Sequence, residues 1–269
     1  MTYAIISHLG DADPVMKQLI ARAGPFAMAA REEHSPFEAL ARAIAHQQLN
    51  GKAAQSILNR FVTTCGQGSF PAPEALLALE DTALRSSGFS FSKIAALRDL
   101  AAKTLSGIVP HHDALHGLSD AEIIERLTAV RGIGRWTVEM LLMFQLRRPD
   151  VLPVDDFGVR YGFRLAYGLR KMPAPKLLAM FGERWAPYRS AAAWYLWRAV
   201  DLARAGQLPP PTAAVKLPRL PRKRRKAAAK SQRKTKRAAA SAARPERAGA
   251  RTRARRPPAR RSRAPAKKR

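Results

Sequence analysis

The stretch that decides the fold is Leu127-Thr-Ala-Val-Arg-Gly-Ile-Gly-Arg-Trp-Thr137. Two glycines, Gly132 and Gly134, separate two segments whose apolar residues recur at helical spacing. Glycine permits a positive φ angle and lets the backbone approach a partner closely. The pattern predicts a helix, a very tight turn and a second helix, and the free N–H groups at the start of the second helix form a site for one phosphate.

A separate signal marks the start of this helical hairpin. Ser119 and Glu122 stand at the spacing of a capping box, in which the two residues satisfy backbone N–H groups at the first turn of a helix. Leu118 and Ile123 occupy the positions of the apolar contact that accompanies such a box. The hairpin is therefore predicted to span residues 119–146.

An acidic pair, Asp155 and Asp156, lies downstream of the hairpin and shortly after Pro153. The next helix is predicted to begin here, and acids at such a position are commonly N-cap or first-turn residues that the helix dipole stabilises. One aspartate can cap the helix while the other faces a cleft. A carboxylate beside a phosphate site indicates chemistry on a nucleic acid.

Several short segments occur in an order and spacing that match a known family. They are Phe37-Glu38, Gln47-Gln48-Leu49, Lys52-Ala-Ala54, Arg131-Gly-Ile-Gly-Arg-Trp-Thr137, Leu152-Pro-Val-Asp-Asp156, Arg184-Trp-Ala-Pro-Tyr-Arg-Ser190 and Trp197. In these segments the chain resembles the helix-hairpin-helix DNA glycosylase superfamily and, within it, the 3-methyladenine DNA glycosylase II family. The resemblance covers roughly residues 3 to 205, and several motifs in one order are a much stronger signal than a lone Gly-x-Gly.

The resemblance assigns the catalytic role to Asp156, which leaves Asp155 as the helix cap. An ionised carboxylate at this place could stabilise the positive charge that develops on the sugar as the base leaves, and could orient the attacking water. Relatives that also cut the strand have a lysine at the position of Trp136, where it forms a Schiff base with the sugar. An indole cannot do so, and the resemblance therefore implies a monofunctional enzyme that leaves an abasic site.

The resemblance also implies a pocket for the excised base. Trp197 matches a pocket tryptophan of the family, and an electron-rich ring attracts a cationic N3- or N7-alkylated purine by about 0.5–2 kcal/mol. For Trp194, which shares a helix face with Trp197, packing between helices is the alternative. The predicted substrate-binding residues are Trp136, Met140, Phe157 and Trp197.

The predicted DNA contacts fall into two groups. The segment Gln47-Gln48-Leu49 interrupts a helical pattern and resembles the loop that fills the gap left by an extruded nucleotide, which offsets part of the cost of flipping. Which of its residues inserts stays open, and an ordinary polar helix face is the alternative. The second group is the hairpin, with Gly132, Gly134 and Arg135.

The predicted fold class is all-α, with two helical lobes, a cleft between them and the hairpin at its edge, over residues 1–208. Family members usually carry an additional N-terminal β-rich domain, whereas only Tyr3-Ala-Ile-Ile6 precedes the predicted helices here, so a minimal form is expected. The predicted helices besides the first of the hairpin are Asp13–Ala23, Pro36–Thr63 with an interruption near Gln48–Gly51, Pro73–Leu79, Asp81–Ser86, Ser92–Leu105, Thr137–Leu146, Asp156–Leu169, Ala174–Phe181 and Pro187–Arg204.

The positive charge is concentrated at the C-terminal end. Of the net charge of +28, residues 216–269 carry 24 Lys and Arg against one acid, Glu246, which leaves 24 basic and 19 acidic residues for the rest of the chain. A segment this polar cannot bury enough apolar surface to offset the entropy of ordering it, so residues 209–269 are predicted to be a disordered tail. It could be a non-specific DNA tether, which its Ala- and Pro-interspersed composition favours, or a nuclear or nucleoid address.

Composition excludes several classes of protein. A single cysteine, Cys65, excludes an internal disulfide framework and a four-cysteine metal site. The segment His111-His112-Asp113 with His116 is expected to be a solvated turn rather than a metal site. No membrane segment, leader, metal or cofactor is expected. The expected protein is a monomer, cytoplasmic and nucleoid-associated, or nuclear in a eukaryote.

Three hypotheses for the function follow. The first is a monofunctional glycosylase that removes alkylated purines from double-stranded DNA. The second is a glycosylase of the same fold for another lesion, such as an oxidised purine or uracil. The third is a non-catalytic DNA-compacting protein that uses the hairpin and the tail for binding. The acid at Asp156 argues against the third, because a pure binder gains nothing from an acid that faces phosphate.

Overall fold

The computed structural model describes residues 2–28, 34–211 and 217–218, which all lie in the first of two units of the chain, Met1–Leu220. Within these ranges the protein is helical and contains no strand, so the all-α prediction is confirmed. The helices are α1 (Thr2–Ala12), α2 (Pro14–Ala23), α3 (Pro36–His46), α4 (Gly51–Cys65), α5 (Pro73–Ala78), α6 (Asp81–Ser86), α7 (Phe91–Leu105), α8 (His112–His116), α9 (Asp120–Thr128), α10 (Arg135–Phe144), α11 (Phe157–Ala166), α12 (Pro175–Gly182), a 3-10 helix (Glu183–Trp185) and α13 (Arg189–Arg204).

Most of these helices were predicted from the sequence, with ends that differ by a few residues from the observed ones. The reason is that many helices start at a recognisable N-cap residue. Each of six helices begins at a residue whose side-chain oxygen accepts a hydrogen bond from an N–H group of the first turn. These N-cap residues are Asp13, Ser35, Asn50, Ser90, Ser119 and Asp156. At Ser119 the complete capping box is present, as predicted.

Three elements were not predicted. Helix α1 begins at Thr2, so the expectation that the first twelve residues precede the helices is wrong. Its signal is weak because only Ile5 and Leu9 are buried and its first turn contains no acid. Helix α8 replaces the solvated turn expected at His112–His116, and the 3-10 helix is too short to leave a periodic pattern.

The helices pack in two groups around one continuous apolar core. The first group consists of α1, α2, α11, α12, α13 and the 3-10 helix, and the second of α3, α4, α5, α6, α7, α9 and α10. The closest approach in the first group is at Gly162 of α11, where an added Cβ would lie 1.9 Å from the carbonyl oxygen of Leu196 in α13. Only glycine allows these two helices to touch in this way.

A buried aspartate joins the N-terminal helices to the C-terminal ones. Asp13 is fully buried, caps α2, and accepts hydrogen bonds from the Tyr167 hydroxyl at 2.6 Å and from Trp185 Nε1 at 3.1 Å. Burial and the neighbouring Asp13 carboxylate raise the pKa of Tyr167 well above its ordinary value, so the hydroxyl remains a donor. Through Tyr167 this network fixes the C-terminal end of α11, and Asp156 is at the N-terminal end of the same helix.

The predicted disordered tail lies outside the described residues except for 209–211 and 217–218, so its predicted disorder stays a prediction. Among the helices of the described part of the chain, none combines the length and the apolar composition that a membrane span requires.

Candidate active site

Helices α9 and α10 form the predicted hairpin. Its turn requires glycine at one position, because Gly132 has a φ of +78°, whereas Gly134 has a φ of −97°. Gly134 is the N-cap of α10 and makes no side-chain cap. The first N–H groups of α10 are therefore available to a phosphate oxygen.

Replacement of Gly134 by alanine is expected to leave the protein folded but to weaken its binding to all DNA. A Cβ at this position meets no atom within 4 Å, so stability should change by at most about 1 kcal/mol. The methyl group would separate the helix terminus from a phosphate, and one weakened contact corresponds to about fivefold lower affinity. Fluorescence anisotropy with damaged and undamaged duplexes measures this. A loss confined to one lesion would place the hairpin in the base pocket instead.

The carboxylate of Asp156 accepts three hydrogen bonds. The Val159 N–H and the Trp197 Nε1–H donate to Oδ1 at 2.7 and 2.9 Å, and the Trp136 Nε1–H donates to Oδ2 at 2.8 Å. Two indoles from distant parts of the chain thus hold one carboxylate at the N-terminus of α11. The remaining contact is local, because Asp156 stands at the N-cap of α11.

The structure corrects the division of roles between the two aspartates. Asp156 is itself the N-cap of α11, whereas Asp155 is exposed in the preceding turn. The prediction that Asp155 caps the helix while Asp156 only faces the cleft is therefore wrong. One side chain can do both because its two oxygens point in different directions, one to the helix and one to Trp136.

The ring of Trp197 is held between α11 and α10. It stacks on Phe144, with ring centroids 5.9 Å apart and an interplanar angle of 20°. At Gly158 an added Cβ would lie 2.8 Å from Trp197 Cδ1, so the absence of a side chain there makes room for the indole. Sequence reasoning did not identify Gly158, since nothing in its local pattern distinguishes it from other helical glycines.

A cleft of about 880 Å³ lies between α3 and α10. It contains four of the predicted residues: Gln47, Gln48, Trp136 and Met140. The remaining lining residues are Ala39, Leu40, Ala43, Thr137, Leu141, Phe144 and Gln145, with the polar side chains His34, Arg42 and His46. Asp156 and Trp197 do not line the cleft, but each contacts a residue that does: Asp156 is bonded to Trp136, and Trp197 stacks on Phe144.

Phe157 does not line the cleft. Its side chain is 70% exposed and stacks on Tyr161, one turn further along α11. The role of Phe157 in the base pocket therefore stays a prediction.

The predicted loop between α3 and α4, Gln47–Asn50, is called the plug loop below. Gln48 has a φ of +57°, and both Gln48 and Leu49 are exposed. The side chain of Gln47 instead donates from Nε2 to the carbonyl oxygen of Gly132 at 2.8 Å. The loop and the hairpin, predicted separately, are therefore in direct contact.

Arg135, the predicted phosphate contact, begins α10 and its side chain is 62% exposed. Its Nε donates to Glu139 Oε1 at 2.8 Å. Burial raises the pKa of Glu139, while the bond to Arg135 opposes that rise. Glu139 was missed by sequence reasoning, although an acid four residues after an arginine on an apolar helix is a usable signal.

Other residues considered in the sequence are outside this site. Trp185 is buried against Asp13, and Trp194 packs edge-to-face at 5.5 Å on Phe26, in the segment that follows α2. In α8 the Nε2 atoms of His112 and His116 lie 3.1 Å apart. No group of three or more His, Cys, Asp and Glu side chains within the described ranges could hold a metal ion.

Comparisons with known proteins agree with this geometry. Residues 41–187 match the family model of the HhH-GPD superfamily of base excision DNA repair proteins. The chain is 44% identical over 197 residues to DNA-3-methyladenine glycosylase 1 of Schizosaccharomyces pombe, covering 73% of this chain and 86% of that protein.

Two solved structures are similar over most of their length. One is the S. pombe 3-methyladenine DNA glycosylase in complex with abasic DNA, with a TM-score of 0.67, 43% identity and coverage of 74% of this chain and 98% of that chain. The other is a DNA-3-methyladenine glycosidase from Bacillus halodurans, with a TM-score of 0.68, 37% identity and coverage of 74% and 91%.

Proposed function

Because the chain belongs to the HhH-GPD superfamily of base excision DNA repair proteins, we propose that it is a DNA-3-methyladenine glycosylase. Its substrates are alkylated purines of the 3-methyladenine and 7-methylguanine type in double-stranded DNA. A similar protein from S. pombe was solved with abasic DNA, the product of such a reaction, and this supports DNA as the partner.

The observation that carries the proposal is the carboxylate of Asp156, which is held by two indoles, one of which, Trp136, lines the cleft. As the N-glycosidic bond breaks, its electron pair leaves with the purine and the sugar becomes positively charged. Asp156 stabilises this charge, since a fixed carboxylate requires no reorganisation when the charge develops. Water then adds to the sugar carbon and loses a proton, which the carboxylate can accept.

The lining of the cleft suits a cationic purine. Trp136 lines the cleft and is 49% exposed, so an alkylated, positively charged base can reach its ring and be attracted by cation–π interaction. Alkylation also weakens the glycosidic bond, so the leaving group contributes to selectivity. A volume of about 880 Å³ is within the range of small-molecule sites, which leaves room for a flipped nucleotide.

Released bases provide the test of this function. The purified protein is incubated with genomic DNA treated with a methylating agent, and the free bases are identified by mass spectrometry. We expect 3-methyladenine and 7-methylguanine from the wild type, and from Asp156→Asn an amount close to that released without protein. Parallel samples of oxidised and of uracil-containing DNA serve as controls. Release from these alone would favour another lesion, and release from no sample would favour a non-catalytic DNA-binding protein.

The reaction is expected to leave intact abasic sites. Trp136 occupies the hairpin position at which strand-cutting relatives have a Schiff-base lysine, and an indole nitrogen cannot form that adduct. Sodium borohydride should therefore trap no covalent complex between the protein and lesion-containing DNA on a denaturing gel. A trapped species that maps to the hairpin would contradict a monofunctional mechanism.

The basic tail is proposed to be a DNA tether. Deletion of residues 209–269 should leave single-turnover release nearly unchanged and lower the affinity for undamaged DNA at low salt. Each neutralised phosphate contributes a slope of about −0.9 to log affinity against log salt, so the 24 basic residues of 216–269 should make the full-length slope several units steeper. Equal slopes for the two proteins would instead identify the tail as an address or a binding site for an acidic partner.

A further inference from the structure

We propose that Gln47 is a positioning residue that couples the plug loop to the phosphate-binding hairpin, so that the two engage DNA as one unit. The inference rests on the proposed function. The sequence analysis predicted Gln47, together with Gln48 and Leu49, to fill the gap left by an extruded nucleotide. Here Gln47 has a different role.

The first evidence is the hydrogen bond that commits Gln47 to the protein. Its Nε2 donates to the carbonyl oxygen of Gly132 at 2.8 Å, across 85 positions of the chain. Its backbone N–H caps α3 by donating to the carbonyl oxygen of Ile44 at 3.3 Å. With both groups bonded inside the protein, Gln47 is held against the hairpin turn while its neighbours are presented to solvent.

The second evidence is the conformation of Gln48. A φ of +57° is unfavourable for a residue other than glycine, and such a conformation persists only when the surrounding structure holds it. The Leu49 N–H donates to the carbonyl oxygen of His46 at 3.3 Å and closes a turn around Gln48. This turn is anchored on both sides. Gln47 is bonded to Gly132 on one side, and on the other Asn50 accepts from the Ala53 N–H at 2.8 Å as the N-cap of α4.

Helix α7 forms hydrogen bonds with both the hairpin turn and the end of α3 that leads into the plug loop. Lys93 Nζ donates to the carbonyl oxygen of Ala45 at 2.7 Å, next to the plug loop, and Asp99 Oδ2 accepts from the Arg131 N–H at 2.7 Å, in the hairpin turn. Burial alone would raise the pKa of Asp99, but the bonds from Arg131 and Lys103 lower it below its ordinary value. Gln47 is the direct link between two elements that rest on the same helix.

This arrangement has a consequence for base flipping. When the hairpin binds a phosphate, the plug loop is already at a fixed distance from it, and the energy of phosphate binding can contribute to insertion. Without the Gln47 side chain the hairpin still binds phosphate, but the turn of the plug loop is no longer tied to the hairpin. Loss of the link should therefore slow steps that require a base pair to be opened, and spare those that do not.

The first experiment measures insertion without catalysis. The duplex carries a tetrahydrofuran abasic-site analogue opposite 2-aminopurine, whose fluorescence rises when it is unstacked. The variants are Gln47→Ala and Gln47→Glu, the second of which keeps the size but removes the N–H donor. The matched control is Gln55→Ala on α4, whose side chain bonds only to Asn59 at 2.8 Å. At saturating protein we expect a lower fluorescence plateau for both Gln47 variants and a wild-type plateau for the control.

The second experiment uses 7-methylguanine placed at one position of a duplex, opposite either cytosine or the abasic analogue. We expect the Gln47 variants to release the base about fivefold more slowly opposite cytosine, the effect of one hydrogen bond, and at nearly the wild-type rate opposite the analogue. An equal loss on both duplexes, or an unchanged 2-aminopurine plateau, would overturn the coupling. If the wild-type protein releases no base, the proposed function is contradicted. The coupling is still tested in that case, because the 2-aminopurine measurement does not require catalysis.

Discussion

Replacement of Asp156 by asparagine should slow base release by at least about a hundredfold while DNA binding stays equal or becomes tighter. The change removes the negative charge that is proposed to stabilise the sugar cation. Asparagine is as good an N-cap as aspartate, so its oxygen can still accept from the Val159 N–H and the fold should be kept. Single-turnover release of 7-methylguanine and anisotropy with an abasic duplex measure the two effects.

Two control variants separate charge from geometry. Asparagine would turn an NH₂ group toward Trp136, which now donates to Asp156 Oδ2 at 2.8 Å. Trp136→Phe removes this bond but keeps the charge, and a loss of about tenfold is expected, the value of a hydrogen bond to a charged group. Asp155→Asn should leave activity and stability almost unchanged, because Asp155 is exposed and does not cap α11. Near-normal turnover of Asp156→Asn would refute the proposed mechanism.

Replacement of Asp13 by alanine should lower the free energy of unfolding by about 3–5 kcal/mol. The carboxylate caps α2 and is the acceptor for the Tyr167 hydroxyl and the Trp185 indole, both of which are buried. Without it, two buried donors lose their partner, and each unsatisfied group costs about 1–3 kcal/mol in addition to the lost cap. Chemical denaturation followed by tryptophan fluorescence measures the change.

The matched control for Asp13 is Ser119→Ala, which removes an exposed N-cap and no buried partner. It should cost only about 1 kcal/mol. Asp13→Asn should fall between the two, because the amide oxygen can still cap α2 but its NH₂ group cannot accept from Trp185. Equal losses for Asp13→Ala and Ser119→Ala would show that the cap alone, and not the buried network, determines the effect.

Features of the site that depend on local sequence could be predicted without the structure. The hairpin required Gly132, and the left-handed φ of that residue confirms that only glycine suits the turn. The break near the plug loop was also predictable, since Asn50 is a strong N-cap signal. In contrast, the direction of the Gln47 side chain depended on where Gly132 lies, and no local pattern contains that information.

The different roles of Asp155 and Asp156 could not be predicted from local sequence. Both stand at the start of a helix, and propensity alone treats them as equivalent. The distinction comes from Trp136 and Trp197, which reach Asp156 from 20 and 41 positions away along the chain. The proposal that Asp156 is the catalytic residue therefore rested on resemblance, and these two hydrogen bonds are what distinguish it from Asp155 in the structure.

By itself the sequence determined the helical class, the ends of most helices, the hairpin and the family, because caps, turn glycines and apolar spacing act within a few residues of the chain. Only the tertiary structure decided that Asp13 is buried beneath Tyr167 and Trp185, which lie 154 and 172 positions away, that Phe157 is outside the cleft, and that Gln47 binds the hairpin. Such contacts depend on how the helices pack, and packing is a property of the whole core rather than of any single segment.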